Sequence, residues 1–309
     1  MKSLRLDILG LLIFEFVPEA LRAEVEESFL TPQRSSRDQP ASFLAMRYQR
    51  VLDAMHAIAY GHIPWEVPAN WGSRLCRAAA AGKTLAVPYT LLHGLCQKDC
   101  MTFTYTDGSI RAVTREEWQR VIAAHPSYEA IRGYDANALT EVLDHLKVAR
   151  IDYTQARGDT TFASHGPEAA ARLATIAGIP ERVVKAIRLQ GVASRFPRVG
   201  VSIALAKEYF GDLTEEEQDY VLFLSLCEQM ASAGTTDKPD LAATIALLRS
   251  IDAYRLFLEL EVCFKAEAPV LDQSKFQAAM AALCDAPNAF VEEQVFGAFT
   301  RIAADCAIT

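Results

Sequence analysis

The sequence has 309 residues and a net charge of −8, with 51% hydrophobic and 23% charged residues. This balance excludes an intrinsically disordered chain and predicts a folded domain with room for a helical extension. The acidic charge does not favour nucleic-acid binding, and no run approaches the roughly 18 apolar residues of a membrane span, so neither nucleic acid nor a membrane is an expected partner.

The first residues carry Lys2 and Arg5 before an apolar run, as a signal peptide does. Asp7 and Glu15 interrupt that run and no small-residue cleavage site follows, so we predict a buried N-terminal helix instead. Seven cysteines, an odd number, are scattered over the chain, mostly within apolar helical patterns. This usage is typical of reduced core thiols and predicts a cytoplasmic protein.

Apolar residues recur at helical spacing through most of the chain. Pro18 breaks the first helical pattern, and Pro88 opens another one. Helices are predicted over residues 4–30, 41–60, 71–81, 87–95, 114–125, 136–151, 164–178, 180–190, 201–210, 214–234, from 241 onward, 273–283 and 291–306. We divide the chain into an N-terminal helical segment (1–40), a helical domain (41–235) and a C-terminal helical extension packed on it (236–309).

One segment favours strands. Phe103 and Tyr105 alternate with threonines, and Asp107-Gly108 is a hairpin turn signal. Thr114 and Glu117 then form a capping-box pattern that opens a helix, and Thr214 and Glu217 form a second one further along the chain. The predicted fold class is all-α, with at most one small β-hairpin.

The segment 164–190 contains a helix with a candidate cap at Ser164, a break at Gly178-Ile179-Pro180, and a second helix that ends at Gln190. This unit resembles the part of the HD superfamily of metal-dependent phosphohydrolases in which one metal-site His starts the first helix and another ends the second. His165 occupies the first position and Gln190 replaces the second.

Further motifs extend the resemblance over about residues 44–234. His93 matches the His of the family's His-Asp pair, and Gly94 replaces the Asp. Arg47 stands at the first ligand position, ahead of a retained Arg50-Val51, and Glu228 replaces a late Asp. The segment from Thr114 to His125-Pro126 is similar to the HD-GYP subgroup of cyclic-dinucleotide phosphodiesterases, although the Gly-Tyr-Pro motif is absent.

The resemblance implies a divalent metal (Fe, Mn or Zn) with His93, His165, Glu228 and His125 as the remaining candidate ligands. Arg47 cannot lose its proton and would repel a metal ion, and Gly94 has no side chain to bridge two ions. These exchanges count against hydrolysis by the family mechanism. For each His, a hydrogen-bonded core residue is the alternative interpretation.

Arg47 and Arg50, with Gln190, are the candidate ligand-binding residues. Guanidinium groups match phosphate oxygens, so these side chains in a vacated metal pocket would bind a phosphorylated small molecule or nucleotide. A solvated basic helix start is the alternative.

Three hypotheses follow. The first is a catalytically degenerate HD-like protein that acts as a ligand-binding or regulatory module. The second is a metal-dependent phosphohydrolase or phosphodiesterase with a variant site. The third is an interaction protein whose C-terminal helices, from Leu241 onward, bind a protein partner or form a homo-oligomer.

Overall fold

The structure is a computed structural model, and it is described for residues 9–29, 31–33, 42–96, 101–123, 136–152, 155–157, 160–162, 165–198, 200–232, 240–266, 272–285 and 291–306. Helices dominate these ranges, which confirms the predicted all-α class. They are α1 (Leu9–Phe16), α2 (Glu19–Phe29), α3 (Leu44–Ala59), α4 (Ala69–Ala81), α5 (Lys83–Leu92), α6 (Arg115–Ala123), α7 (Ala136–His145), α8 (His165–Leu173), α9 (Glu181–Arg188), α10 (Ile203–Phe210), α11 (Glu215–Ser232), α12 (Ala242–Ala266), α13 (Gln273–Asp285) and α14 (Val291–Cys306).

Strands are short, and they are β1 (Pro32–Gln33), β2 (Ser42–Phe43), β3 (Thr102–Tyr105), β4 (Ile110–Ala112), β5 (Val148–Asp152), β6 (Gln155–Arg157) and β7 (Thr160–Phe162). The predicted hairpin is present as the antiparallel pair β3 and β4. Gly108 adopts φ +84° in its turn, a conformation that favours glycine. Strand β5 pairs with the other edge of β3, so the hairpin is part of a three-stranded antiparallel sheet in the order β4-β3-β5.

The predicted helix over residues 136–151 is wrong in its second half. Helix α7 ends at His145, and Lys147 adopts the left-handed φ of 59°, which stops a right-handed helix. The next residues form β5, which pairs with β3, a strand more than forty residues earlier in the chain. Tertiary pairing therefore overrides the local helical pattern here.

Both predicted capping boxes are present. The backbone N–H of Glu117 donates to Thr114 Oγ1 (3.2 Å), and the backbone N–H of Thr114 donates to Glu117 Oε2 (3.0 Å). Thr214 and Glu217 repeat the arrangement at 3.3 and 2.9 Å. Each box supplies acceptors to two backbone N–H groups at a helix start, which fixes where α6 and α11 begin.

The contacts divide the chain into two compact units, and their boundaries differ from the three segments drawn from the sequence. The first unit comprises Met1–His56 and Ala80–Gln190, and the second comprises Ala57–Ala79 and Gly191–Thr309. The largest fully buried side chains of the first unit include Phe29, Tyr89 and Phe103. Those of the second unit include Trp71, Phe210, Phe223 and Phe276.

The N-terminal helix is buried on one side only. Ile13 of α1 is buried, but Leu11 and Phe14 are 68% and 67% exposed. The expectation of a buried N-terminal helix therefore holds for one face of α1 and is wrong for the other. None of the helices described is both long enough and apolar enough to span a bilayer.

Candidate functional site

Helices α8 and α9 meet closely at the segment that carries the family resemblance. A Cβ atom added to Gly166 would lie 2.7 Å from the Ile187 carbonyl oxygen and 3.4 Å from Gln190 Cβ. Only glycine allows this approach without a shift of backbone atoms. The backbone at His165 therefore starts α8 beside Gln190; the side chain of His165 and the predicted cap at Ser164 lie outside the described residues.

The break between these helices has the predicted form. Gly178 adopts φ +89°, a left-handed conformation, and Pro180 is the N-terminal cap residue of α9. The carbonyl oxygen of Pro180 accepts from the N–H of Val183 (2.9 Å). Helix α8 ends at Leu173, earlier than predicted.

His93 follows the last residue of α5 and is 1% exposed. Its ring stacks on Tyr89, with 5.2 Å between centroids and 6° between planes, and it meets Tyr48 edge-on at 4.5 Å and 62°. Tyr48 also packs edge-on against Phe29, at 4.6 Å. We call these four side chains, Phe29, Tyr48, Tyr89 and His93, the His93 cluster.

A hydrogen bond fixes the tautomer of His93. Its Nδ1 atom lies 3.0 Å from the carbonyl oxygen of Thr90. Because a carbonyl oxygen only accepts, Nδ1 carries a hydrogen, and when the ring is neutral its lone pair is on Nε2. Sequence reasoning predicted His93 but missed Tyr48 and Tyr89; the spacing of Tyr89, four residues before His93 on one helix face, was the available signal.

Arg47 and Arg50 lie one helical turn apart on α3, on either side of Tyr48, and both are partly buried. Burial, reinforced by the charge of Arg47, lowers the pKa of Arg50. The Nε atom of Arg47 is buried and has no hydrogen-bond acceptor among the residues that the structure describes. The two guanidinium groups are therefore close enough for the charge of Arg47 to act on Arg50.

Gln190 is 7% exposed, and its Oε1 has no hydrogen-bond donor within the described part of the chain. It follows α9, which packs against α5, the helix that leads into His93. Helix contacts thus link these positions within the first unit. Helix α3, which carries Arg47, contributes Tyr48 to the His93 cluster, α5 packs on α9, and the start of α8 lies close to the end of α9.

Glu228 belongs to the second unit, on α11, and is 5% exposed. The neighbouring Cys227 is fully buried; burial, with a smaller contribution from the charge of Glu228, raises the pKa of its thiol well above the ordinary value. His125 lies outside the described residues. Of the candidate positions, the structure therefore describes the side chains of Arg47, Arg50, His93 and Gln190 in one unit and that of Glu228 in the other.

The described side chains alone do not form a site for a divalent metal. Within the described ranges, no group of three or more His, Cys, Asp or Glu side chains comes together in a way that would hold a metal ion. The nearest aromatic neighbours of His93 are tyrosine rings, and Arg47 and Gly94 supply no ligand. The metal site of His93, His165, Glu228 and His125 stays a prediction, and no catalytic step is derived through it.

The second unit contains an ion network that the sequence did not indicate. The indole Nε1 of Trp71 donates to Asp252 (2.7 Å), and the guanidinium of Arg74 lies 4.3 Å above the Trp71 ring. Arg255, 8% exposed, donates to Asp219 (2.8 Å). Burial raises the pKa of Asp219 even though Arg74 opposes the shift. The network connects α4, α11 and α12 within the second unit, and loss of one partner would leave a largely buried charge without its counter-charge.

Comparison of the chain with protein-family models, with curated proteins and with solved structures found no match.

Proposed function

We propose that the chain is a binding protein whose first unit is a catalytically degenerate HD-like module, and that Arg47, Arg50 and Gln190 bind the phosphate group of a small molecule or nucleotide. The observation that carries the proposal is the pair of half-buried guanidinium groups, with the Nε of Arg47 buried and without an acceptor among the described residues.

The energetics favour an anion at this position. A buried donor that lacks an acceptor costs about 1–3 kcal/mol, and a phosphate oxygen would recover this cost. Burial is the main cause of the lowered pKa of Arg50, and the charge of Arg47 adds to it; an anion beside the two guanidinium groups would offset this second contribution. Arginine stays protonated throughout the accessible pH range, so phosphate would not have to compete with deprotonation.

Gln190 extends the site by its chemistry. Its side-chain amide supplies two N–H donors that suit phosphate oxygens, and its Oε1 suits a hydroxyl group of the ligand. Neither a guanidinium nor an amide activates water or accepts a proton at neutral pH. The same residues that favour binding therefore give no support to phosphate hydrolysis.

Isothermal titration calorimetry of the full chain with inorganic phosphate, pyrophosphate and AMP tests this function. Each of Arg47→Gln and Arg50→Gln should weaken binding by more than tenfold, because each removes a charge-assisted contact worth about 1.5–3 kcal/mol. Arg120→Gln is the matched control, since Arg120 is an exposed arginine of the same unit, paired with Glu116.

Equal affinities in all three variants would overturn the proposal. A titration that detects no binding of inorganic phosphate, pyrophosphate or AMP would overturn it as well. Affinity that falls as sodium chloride rises would support a charged site, since salt screens the attraction between a phosphate and partly exposed guanidinium groups.

A second candidate function is the metal-dependent phosphohydrolase. The tautomer of His93 favours it, since an Nδ1–H donated to a backbone carbonyl is the arrangement that orients an Nε2 lone pair towards a metal ion. Metal analysis of the purified chain distinguishes the two functions. Stoichiometric iron, manganese or zinc that is lost in His93→Ala and His165→Ala, but kept in the exposed-site control His145→Ala, would establish the enzyme hypothesis.

A further inference from the structure

A cavity of about 250 Å³ lies in the second unit, where α10, α12 and α13 meet. Its floor consists of aromatic and thioether side chains that are almost fully buried, chiefly Phe257, Phe276 and Met280. Phe276 and Met280 stand four residues apart on α13, so they share one face of that helix. The four-residue spacing of these apolar side chains on α13 therefore places both of them against the cavity.

The size of the cavity matches a small molecule. Apolar cavities of about 150 Å³ accept benzene, and ligand pockets of about 300 Å³ and above accept larger compounds. A volume of 250 Å³ lies between these limits and fits a ligand with one aromatic ring or a medium-length alkyl chain. Met280 adapts its shape to such a ligand because the thioether side chain is flexible and polarizable.

The rim carries both signs of charge. Lys207 of α10 and Glu261 of α12 line the cavity together with Gln277 of α13. A ligand with a carboxylate would be attracted by Lys207 and repelled by Glu261, and a ligand with an ammonium group would meet the reverse. A neutral hydroxyl group avoids both penalties, and the amide of Gln277 can donate to it or accept from it.

We propose that this cavity binds a neutral amphiphile, an alcohol or phenol whose apolar part lies on Phe257, Phe276 and Met280 and whose hydroxyl group faces Gln277. The site is independent of the arginine pair of the first unit. Its residues belong to other helices, and its ligand differs in charge and in chemistry.

Methionine-methyl NMR of the full chain tests the site with defined probes. The chain has six methionines, and Met280→Leu identifies the resonance of Met280. Octan-1-ol should shift that resonance in a saturable way. Octanoate and octylamine, which carry the same chain with opposite charges, should bind about tenfold more weakly.

Two variants on the exposed side of α13 make the test specific. Ala281 lines the cavity and is exposed, so Ala281→Trp should fill the opening and abolish the octan-1-ol shift without loss of folding. Ala278 is equally exposed and does not line the cavity, so Ala278→Trp should bind like the unmodified chain.

Several results would overturn the proposal. These are no saturable shift at Met280, an octan-1-ol shift that persists in Ala281→Trp, or tighter binding of octanoate or octylamine than of octan-1-ol. A Met280 resonance that moves with protein concentration alone, and that stops moving in Ala281→Trp, would instead assign the cavity to an interface between copies of the chain.

Discussion

Replacement of Gly166 by alanine probes the contact that brings the start of α8 beside Gln190. The new Cβ would lie 2.7 Å from the Ile187 carbonyl oxygen. This oxygen belongs to the backbone, so it cannot rotate away as a flexible side chain does. Overpacking of this kind costs about 1–3 kcal/mol. The higher helix propensity of alanine offsets at most about 1 kcal/mol, so even with that full gain we expect a net destabilisation of up to about 2 kcal/mol.

Gly72 provides the matched control. It lies inside α4, and a Cβ added there would meet no atom within 4 Å. Gly72→Ala should therefore stabilise α4 by about 0.5–1 kcal/mol, because only the propensity term acts. The two glycine-to-alanine changes are predicted to have opposite signs.

Hydrogen–deuterium exchange by mass spectrometry measures both effects at peptide level, which avoids the assumption that the two units unfold together. Amides of α8 and α9 should exchange faster in Gly166→Ala, and amides of α4 should exchange more slowly in Gly72→Ala. Unchanged or slower exchange of α8 and α9 in Gly166→Ala would refute the close approach and, with it, the adjacency of residues 165 and 190.

Two further predictions concern stability. Hydrogen bonds, chiefly from Arg111, hold the pKa of Glu117 at about 2, below its ordinary 4.5. The stability that Glu117 contributes is therefore present above pH 4.5 and is lost as the pH falls from 4.5 towards 2. Glu117→Gln should make the urea-denaturation midpoint less dependent on pH over this window, and an unchanged pH dependence of the midpoint would contradict the shift. Trp71→Phe leaves the Asp252 carboxylate without its 2.7 Å indole donor and should cost about 1–3 kcal/mol in the same assay. The control Trp65→Phe, at an 84% exposed position, should change stability by less than about 0.5 kcal/mol. Equal effects of the two variants would count against a role for this hydrogen bond.

Features fixed by neighbouring residues could be predicted from the sequence. The boxes at Thr114 and Thr214, the turn at Gly108 and the cap at Pro180 each depend on side chains within four residues, and all of them are present. Local hydrogen bonds and local backbone preferences decide these positions before any tertiary contact forms.

Features that depend on distant segments could not be predicted. Helix α5 begins at Lys83 and contains Pro88, although proline normally predicts a helix start. Strand β5 exists because it pairs with β3, and no local pattern indicated it. The placement of Glu228 in the second unit also depends on tertiary contacts. The resemblance predicted its position in the sequence order of the motifs, but it could not predict the unit in which Glu228 lies.

The candidate site was predictable in part. Motif positions identified Arg47, His93 and Gln190, which lie in one unit, because short sequence motifs indicate which residue types stand at a helix end. The tyrosines that surround His93 come from α3 and α5, and their contact with the imidazole requires the packing of these two helices. Sequence periodicity alone shows that Tyr48 and Tyr89 are core residues, without showing that they share a neighbour.

The central claim is that Arg47 and Arg50 bind phosphate, and ¹⁵N NMR of the arginine Nε–H groups tests it most directly. In the full chain titrated with pyrophosphate, the Nε–H resonance of Arg47, identified by its loss in Arg47→Gln, should move downfield in a saturable way as its buried donor gains an acceptor. The exposed Arg120 should keep its position at the same concentrations. A stationary Arg47 resonance, or a shift shared equally by Arg120, would contradict the account.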